Sequence, residues 1–139
     1  MPEKVLFDVN VILDVLESRE PHIANSGPAL RMAETGQIHG CLSASSVDTL
    51  AFLIRRTASS VMTNNILQEL INILDVVPVD GNIIRIALNA RWDDPEDAIL
   101  YYAAAQAGCK KIVTRNVRDF KTDDDLVIVI PPEKLLESQ

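Results

Sequence analysis

Cysteine and glycine are scarce in this 139-residue sequence, and their scarcity excludes several kinds of site. The two cysteines, Cys41 and Cys109, lie far apart, with no second thiol or histidine at a zinc-finger spacing. Neither a structural zinc site nor a disulfide framework is therefore expected. With five glycines in all, the chain lacks the glycine-rich loops that hold dinucleotides or nucleoside triphosphates. These absences indicate a reducing compartment and a site without a nucleotide cofactor.

Aromatic and basic residues are also few. One Trp, two Tyr and three Phe are too few for the base-stacking platforms of RNA-recognition modules. Thirteen basic against twenty acidic residues give a net charge of −7, which argues against coating of nucleic acid through bulk charge. Five of the thirteen basic residues nevertheless lie within residues 110–121, a stretch that contains one acid, Asp119. Any contact with nucleic acid must therefore be local.

Long hydrophobic runs are absent as well. Every apolar stretch is too short to span a bilayer, and the N-terminus lacks the pattern of a secretion signal. Apolar residues make up 47% of the chain, which is ample for one globular core. We therefore expect a soluble, cytoplasmic protein with a single domain over residues 1–139.

Short apolar runs alternate with helical periods along the chain. The short runs predict five strands, at residues 3–8, 38–42, 76–79, 112–114 and 126–130. Helices are predicted between them and after the last strand, with Asn10, Ser26 and Asp94 among the candidate N-caps. This alternation predicts an α/β fold, a three-layer α/β/α sandwich around a central, mainly parallel five-stranded sheet.

Acidic residues from separate segments are expected to meet at the carboxyl ends of the strands, where open α/β sheets bind ligands. Asp8 ends the first strand, Asp48 lies in the opening turns of the helix after the second strand, and Asp119 follows the fourth strand. The helix that begins at Asp94 runs antiparallel to the fourth strand, so Asp97 in its first turn reaches the same edge. Four segments thus bring carboxylates together.

Carboxylates in such a cluster need a counter-charge. Two of them ~4 Å apart repel by about 4 kcal/mol at an effective dielectric constant of about 20. Oxygen ligands without histidine or thiolate favour Mg²⁺ or Mn²⁺ over zinc. A water molecule activated by such an ion attacks phosphorus readily, so hydrolysis of a phosphodiester is the predicted chemistry.

Polar and basic residues after the fourth strand complete the predicted site. Thr114 and Asn116, like Asn10 after the first strand, can cap a turn or orient a carboxylate through a hydrogen bond. Three basic residues lie at the same end of the sheet and are predicted to contact substrate phosphates: Arg115, Arg118 and Lys121.

Three motifs, in this order, resemble those of the PIN-domain nucleases, the family of the VapC-type toxins. The first is the stretch FDVNVILD at residues 7–14, and the second is SASSVD at residues 43–48. The third is PEDA at residues 95–98, followed by IVTRN at residues 112–116 and DF at residues 119–120. The resemblance covers most of the chain. It implies a metal-dependent ribonuclease with three or four acids around Mg²⁺, a cytoplasmic dimer and often a cognate antitoxin.

On this basis we predict Asp8 and Asp97 as the principal metal ligands, with Asp48 and Asp119 completing the cluster. Ordinary roles are open to several of these acids. Asp8 can close an Asx turn, and Asp119 can pair with a neighbouring arginine. Asp48 can form a capping box with Ser45, three residues before it. The acids that surround Asp97 are predicted mainly to serve the start of their helix: Asp93, Asp94 and Glu96.

The main alternative is a catalytically inactive PIN-like module that binds RNA or a protein partner. Two departures favour it, because many PIN nucleases carry a glutamate in the second motif and an aspartate in place of Asn116. A phosphatase of the haloacid dehalogenase type also begins with an acid after its first strand, but Asn10 replaces the general acid of its Asp-x-Asp pair. A response-regulator receiver would need paired acids near the first strand, which the sequence lacks. The helices at 47–54 and 61–74 are apolar enough to contribute a dimer or antitoxin interface.

Overall fold

A computed structural model describes residues 2–121 and 124–137 of the chain. Within them a single sheet is formed by five strands, which are β1 (Lys4–Phe7), β2 (His39–Ser43), β3 (Asp75–Val77), β4 (Lys111–Val113) and β5 (Ile128–Ile130). Their order is β3-β2-β1-β4-β5, and every neighbouring pair is parallel. The predicted α/β class and parallel five-stranded sheet are confirmed.

Seven helices, counted over residues 2–121 and 124–137, cover the sheet. They are α1 (Val9–Leu16), α2 (Ile23–Glu34), α3 (Ala44–Arg55), α4 (Ser60–Ile73), α5 (Gly81–Asn89), α6 (Pro95–Gln106) and α7 (Pro132–Glu137). In the part of the chain that the structure describes, none of them is long and apolar enough to cross a membrane.

Two hydrophobic layers lie on opposite faces of the sheet, because successive strand residues point to opposite sides. Val5 and Phe7 of β1 pack in one layer with residues of α1, α2, α3 and α4. Leu6 lies in the other layer with Leu100 and Tyr101 of α6. Both cysteines are buried in this second layer as free thiols, as expected for small core residues. The two layers make the predicted three-layer sandwich.

The start of α1 differs from the prediction. Asp8 has left the strand and is the N-cap, its side chain accepting a hydrogen bond from the Val9 backbone N–H. Asn10, the predicted cap, lies instead in the first turn of the helix. The change places the Asp8 carboxylate at the junction of β1 and α1.

The start of α2 also differs, because this helix begins at Ile23 and contains Pro28. Ser26 is therefore a buried residue inside the helix and not its cap. Proline costs one intrahelical hydrogen bond, and the burial of Ala29, Leu30 and Met32 against the core offsets that loss. Asp94 does occupy the N-cap position of α6, but its side chain makes no capping hydrogen bond.

The sheet positions the site through its topology. Strands β2 and β3 lie on one side of β1, whereas β4 and β5 lie on the other. The direction in which the chain adds strands therefore reverses between β1 and β4. The backbone N–H of Asp8 donates to the Val113 carbonyl at 3.0 Å across this reversal. In open α/β sheets ligands bind outside the carboxyl ends of the strands at such a point.

Candidate active site

Asp8 is fixed at the reversal point by hydrogen bonds to both of its carboxylate oxygens. Oδ1 accepts from the Val9 backbone N–H at 2.7 Å. Oδ2 accepts from the Thr114 hydroxyl at 2.7 Å and from the Asn10 amide Nδ2 at 3.3 Å. The carboxylate forms no ion pair with the described residues, 2–121 and 124–137. Asp8 is thus oriented by neutral donors, and its negative charge is not neutralised by contact with a cation.

Asn10 and Thr114 link the ends of β1 and β4 into one polar network. Asn10 Nδ2 lies 3.2 Å from the Thr114 hydroxyl, and Asn10 Oδ1 accepts from the Arg115 backbone N–H, also at 3.2 Å. The Thr114 hydroxyl accepts in turn from the Asn116 backbone N–H at 3.0 Å. The predicted polar residues therefore lie together, although Asn116 contributes its backbone to this network and not its side-chain amide.

Asp97 reaches the same edge from the first turn of α6, as the topology predicted. The pKa of Asp97 is raised to about 7, mainly by partial burial and then by the negative charges of Asp8, Glu96, Asp119 and Asp94. No lysine or arginine in the described residues pairs with Asp97. A carboxyl group in such surroundings is poised to exchange its proton for a cation.

The pKa of Asp8 is also raised. Burial is the main cause, and the nearby charge of Asp119 adds to it, whereas the bonds from Thr114 and Val9 and the charge of Arg115 oppose it. Asp119 thus acts electrostatically on both Asp8 and Asp97 from the short 3₁₀ turn Val117–Asp119. The three acids Asp8, Asp97 and Asp119, which we call the acidic triad, share one electrostatic environment.

The α6 N-terminus adds further carboxylates. Oxygen atoms of Asp94, Glu96 and Asp97 all lie within 4.8 Å of one another. The sequence predicted Asp94 and Glu96 mainly as helix-start acids, and their negative charge does complement the helix dipole. Their distance from Asp97 nevertheless makes them part of the site's charge. The missing side-chain cap at Asp94 leaves its carboxylate available to a ligand.

A cavity of about 220 Å³ opens beside Asp8 and Asp97. Glu96, Ile99 and Leu100 of α6 form one wall, and Val9 lies at the start of α1. From α3 the cavity is lined by Ser45, Ser46 and Thr49. We call this the acidic cavity. Its lining combines carboxylates and hydroxyls with the apolar side chains of Val9, Ile99 and Leu100.

Asp48 is an exposed residue of α3 and does not line the acidic cavity. Its neighbour Thr49 faces that space instead, because adjacent helical positions point about 100° apart. Sequence reasoning overlooked Thr49. The signal available was the spacing from Ser45, since residues four apart share a helical face.

The three basic residues predicted to contact phosphates have different surroundings. Arg115 donates from Nε and Nη2 to the buried carboxylate of Asp14, at 2.8 and 3.1 Å. Lys121 forms an exposed ion pair of 2.6 Å with Asp93. Arg118 is exposed and has no ion pair with the residues that the structure describes. Arg118 is thus the most available of the three to an anionic ligand.

Comparison with known proteins agrees with this geometry. A family described as the PIN domain matches residues 4–118. Ribonuclease VapC1 of Aquifex aeolicus (strain VF5) is 24% identical over 130 residues, which are 90% of each chain.

Solved structures share the fold. A toxin-antitoxin complex from Klebsiella pneumoniae contains a chain with a TM-score of 0.67 and 20% identity, and the alignment covers 92% of this chain and 97% of that one. DNA-bound VapBC from Salmonella typhimurium gives a TM-score of 0.64 at 19% identity and covers 93% and 97% of the two chains. The family match extends from β1 through the acids of α6 to the turn after β4. The chain therefore belongs to the PIN domain family.

Proposed function

We propose that this chain is a metal-dependent endoribonuclease that hydrolyses RNA phosphodiester bonds and acts as the toxin of a toxin-antitoxin pair. The observation that carries the proposal is the acidic triad. The charge of Asp119 raises the pKa of both Asp8 and Asp97, the charge of Asp8 also raises that of Asp97, and no ion pair in the described residues neutralises these acids. Membership of the PIN domain family and similarity to a protein named ribonuclease VapC1 support the same activity.

The donor set fits Mg²⁺ or Mn²⁺. Asp8 and Asp97 line one cavity, and Asp119 acts on both through its charge. All three offer carboxylate oxygens, which hard divalent cations prefer, and no histidine or cysteine lines the cavity. We propose that Asp8, Asp97 and Asp119 hold the ion. When bound, the ion supplies charge neutralisation and an activated water for attack on phosphorus.

The chain's own residues position the reacting groups. Thr114 and Asn10 donate to one oxygen of Asp8, which fixes the direction in which the other electron pairs of the carboxylate point. Asp97 holds its proton mainly through burial and neighbouring negative charge, so it would release that proton if the site bound a divalent cation. Arg118 and Lys121 lie on either side of Asp119 in the sequence, and we propose that both contact flanking phosphates.

Incubation of the purified chain with single-stranded RNA tests the activity. We expect cleavage with Mg²⁺ or Mn²⁺ and none with EDTA. Asp8→Asn and Asp97→Asn should each reduce kcat by at least about 100-fold, because each removes a charged ligand and keeps the side-chain size. Glu69→Gln, at an exposed acid of α4, is the matched control and should keep full activity. Undiminished cleavage by Asp8→Asn would refute the proposal.

An inactive module that binds RNA or protein remains the second candidate function. The observation that favours it is Thr49, a hydroxyl where α3 lines the acidic cavity and where no α3 carboxylate is present. Titration with Mn²⁺ in a calorimeter separates the two candidates. A nuclease binds the ion with heat that is absent in Asp8→Asn, whereas a module that only binds a macromolecule shows no such heat.

We further propose an antitoxin partner and a homodimer in the cytoplasm. The Klebsiella and Salmonella structures are described as complexes of a toxin with its antitoxin and of VapBC. An apolar groove of about 330 Å³ between α1, α2 and α4 contains Leu16, Leu30, Ile66 and Ile73, and we assign it to a segment of the antitoxin. Exposed Phe52 and Val61 are apolar surface suited to a second copy.

Light scattering after size exclusion tests both associations. We expect the mass of a dimer for the chain alone and a larger mass after co-expression with the gene adjacent to it. Leu30 is buried, whereas Ile66 is half-buried, so Ile66→Arg is the better groove variant. It should abolish only the larger species. A monomer at all concentrations would contradict the homodimer.

A further inference from the structure

Asp14 is a fully buried acid on the second turn of α1, and its carboxylate is bound on both oxygens. Oδ2 accepts from the Ser26 hydroxyl of α2 and from Arg115 Nε, each at 2.8 Å. Oδ1 accepts from Arg115 Nη2 at 3.1 Å. The Asp14–Arg115 ion pair therefore joins α1 to the segment that follows β4 through two hydrogen bonds, and the Ser26 hydroxyl adds a bond from α2.

Arg115 also belongs, through its backbone, to the polar network of the site. The Arg115 backbone N–H donates to Asn10 Oδ1, and Asn10 contacts Asp8 through its amide. The residue before Arg115 is Thr114, which donates to Asp8, and the residue after it is Asn116, whose N–H donates to the Thr114 hydroxyl. The ion pair of the Arg115 side chain thus restrains the backbone N–H groups of Arg115 and Asn116, which donate two of these bonds.

A buried ion pair is a costly way to stabilise a core. The desolvation of two charges often exceeds their attraction, and apolar replacements of both partners are frequently neutral or stabilising. The fork of an arginine, however, defines the orientation of its partner through two parallel bonds, which a lysine or an apolar side chain does not do. Stability alone therefore gives a weak reason for this pair, whereas geometry at the neighbouring site gives a strong one.

We propose that Asp14 and Arg115 are positioning residues, which hold the Thr114–Asn116 segment so that Thr114 and Asn10 orient Asp8. Arg115 acts through its side chain on Asp14 and not on substrate phosphate. The activity part of this inference rests on the proposed ribonuclease function, and the backbone part does not.

The main test replaces both charges at once, in Asp14→Leu/Arg115→Met. We expect a melting temperature close to that of the wild type, a kcat about 10- to 100-fold lower and a KM within about twofold. The matched control removes the exposed pair on α2, in Arg31→Gln/Glu34→Gln, and should leave kcat and KM unchanged. A double variant with wild-type kcat would overturn the proposal.

A second variant tests the proposal even if the double variant fails to fold. Arg115→Lys keeps a cation beside the buried Asp14 but replaces the two-point fork with a single ammonium. We expect it to fold and to lose less kcat than the double variant, again with KM unchanged. Equal kcat for Arg115→Lys and the wild type would mean that charge alone matters and would overturn the positioning role of the fork.

Hydrogen exchange supplies a readout without RNA or metal. In EDTA, the amides of Arg115 and Asn116 should exchange at least about 10-fold faster in the double variant than in the wild type, while core amides of β1 stay protected. Unchanged protection at both amides would overturn the proposal. If the wild-type chain cleaves no RNA with any metal, the ribonuclease proposal fails, and the exchange result still decides whether the pair positions the segment.

Discussion

The Thr114 hydroxyl donates a 2.7 Å hydrogen bond to the Asp8 carboxylate across a sequence separation of 106 residues. The bond joins the ends of β1 and β4, the two strands between which the strand order reverses. Thr114 binds Oδ2, and the other oxygen, Oδ1, accepts from the Val9 N–H at 2.7 Å. The orientation of the Asp8 carboxylate therefore depends on a residue of the fourth strand's exit and not on α1 alone.

Thr114→Val should lower kcat about 10- to 100-fold, because it removes this donor and also the acceptor of the Asn116 N–H. Thr114→Ser keeps the hydroxyl and should stay within about threefold of the wild type. Steady-state kinetics on RNA, together with Mn²⁺ titration, measures both effects. Equal rates for the valine and serine variants would show that the bond does not orient Asp8.

The raised pKa of Asp97 makes stability depend on pH in the absence of metal. Free Asp97 ionises near pH 3.8 and the folded group near pH 7, so between these values the folded state binds more protons than the unfolded state. Stability then falls as pH rises through this window. The effect is about 1 kcal/mol, since Asp97 is only partly buried and solvent screens its neighbours.

Asp97→Asn removes this penalty. In EDTA the melting temperature of the variant, relative to the wild type, should rise by about 4 °C between pH 5 and pH 8. Excess Mg²⁺ should reverse the order at pH 8, because the ion binds the charged wild-type site and stabilises it by mass action. Differential scanning calorimetry at the two pH values checks the sign. A relative decrease from pH 5 to pH 8 in EDTA would contradict the shared charge of the acidic triad.

Asp119 and Asp48 should respond differently to loss of charge. Asp119 acts electrostatically on both Asp8 and Asp97, whereas Asp48 is exposed and lies outside the lining of the acidic cavity. We expect Asp119→Asn to lower Mn²⁺ affinity by about 10-fold or more and to lower kcat. Asp48→Asn should leave both within about twofold. The reverse ranking in a calorimetric titration would restore Asp48 as the second-motif ligand.

Thr49→Glu should add a carboxylate to the acidic cavity from α3. With metal we expect tighter Mn²⁺ binding, by about 10-fold, because a fourth acid increases the ligand charge. In EDTA the same variant should melt at a lower temperature than Thr49→Gln, since a further negative charge repels Asp8 and Asp97. If both variants bind Mn²⁺ with equal affinity and have the same melting temperature, the α3 side of the cavity is remote from the ion.

Arg118→Ala tests the proposed phosphate contact. Loss of one such contact should raise KM about 3- to 10-fold and reduce the salt dependence of RNA binding by about one ion. Arg56→Ala, at the far end of α3, is the matched control for net charge. Fluorescence anisotropy with labelled RNA at several salt concentrations gives the slope. Identical slopes for the two variants would assign no phosphate to Arg118.

The order of strands and helices could be predicted from hydrophobic periodicity, and topology then predicted that Asp8, Asp97 and Asp119 would approach one another. The sequence predicted less accurately which face of a helix each residue occupies. Asp48 and Thr49 differ by one position and about 100° of rotation, so an acid in the right motif lies outside the cavity while the hydroxyl lines it. Boundary signals failed where burial outweighed a local preference, as at Pro28 within α2.

The ion pair between Arg115 and Asp14 could not be predicted, for another reason. A basic residue at the correct end of the sheet suggested a phosphate contact, but its guanidinium binds an acid 101 residues earlier in the chain. Asp14 carried the available signal, because it lies three residues from Val11 on the buried side of α1. An acid at such a position needs a partner. The sequence alone does not say which of thirteen basic residues supplies it.

The central position of β1 has a consequence for synthesis of the chain. Asp8 leaves the ribosome more than a hundred residues before its orienting partner Thr114 and the charge of Asp119. Parallel pairing of β1 with β4 cannot begin before that point. During synthesis, the Asp8 carboxylate therefore lacks its Thr114 donor, and the acidic triad stays incomplete, until β4 and the turn after it have been made.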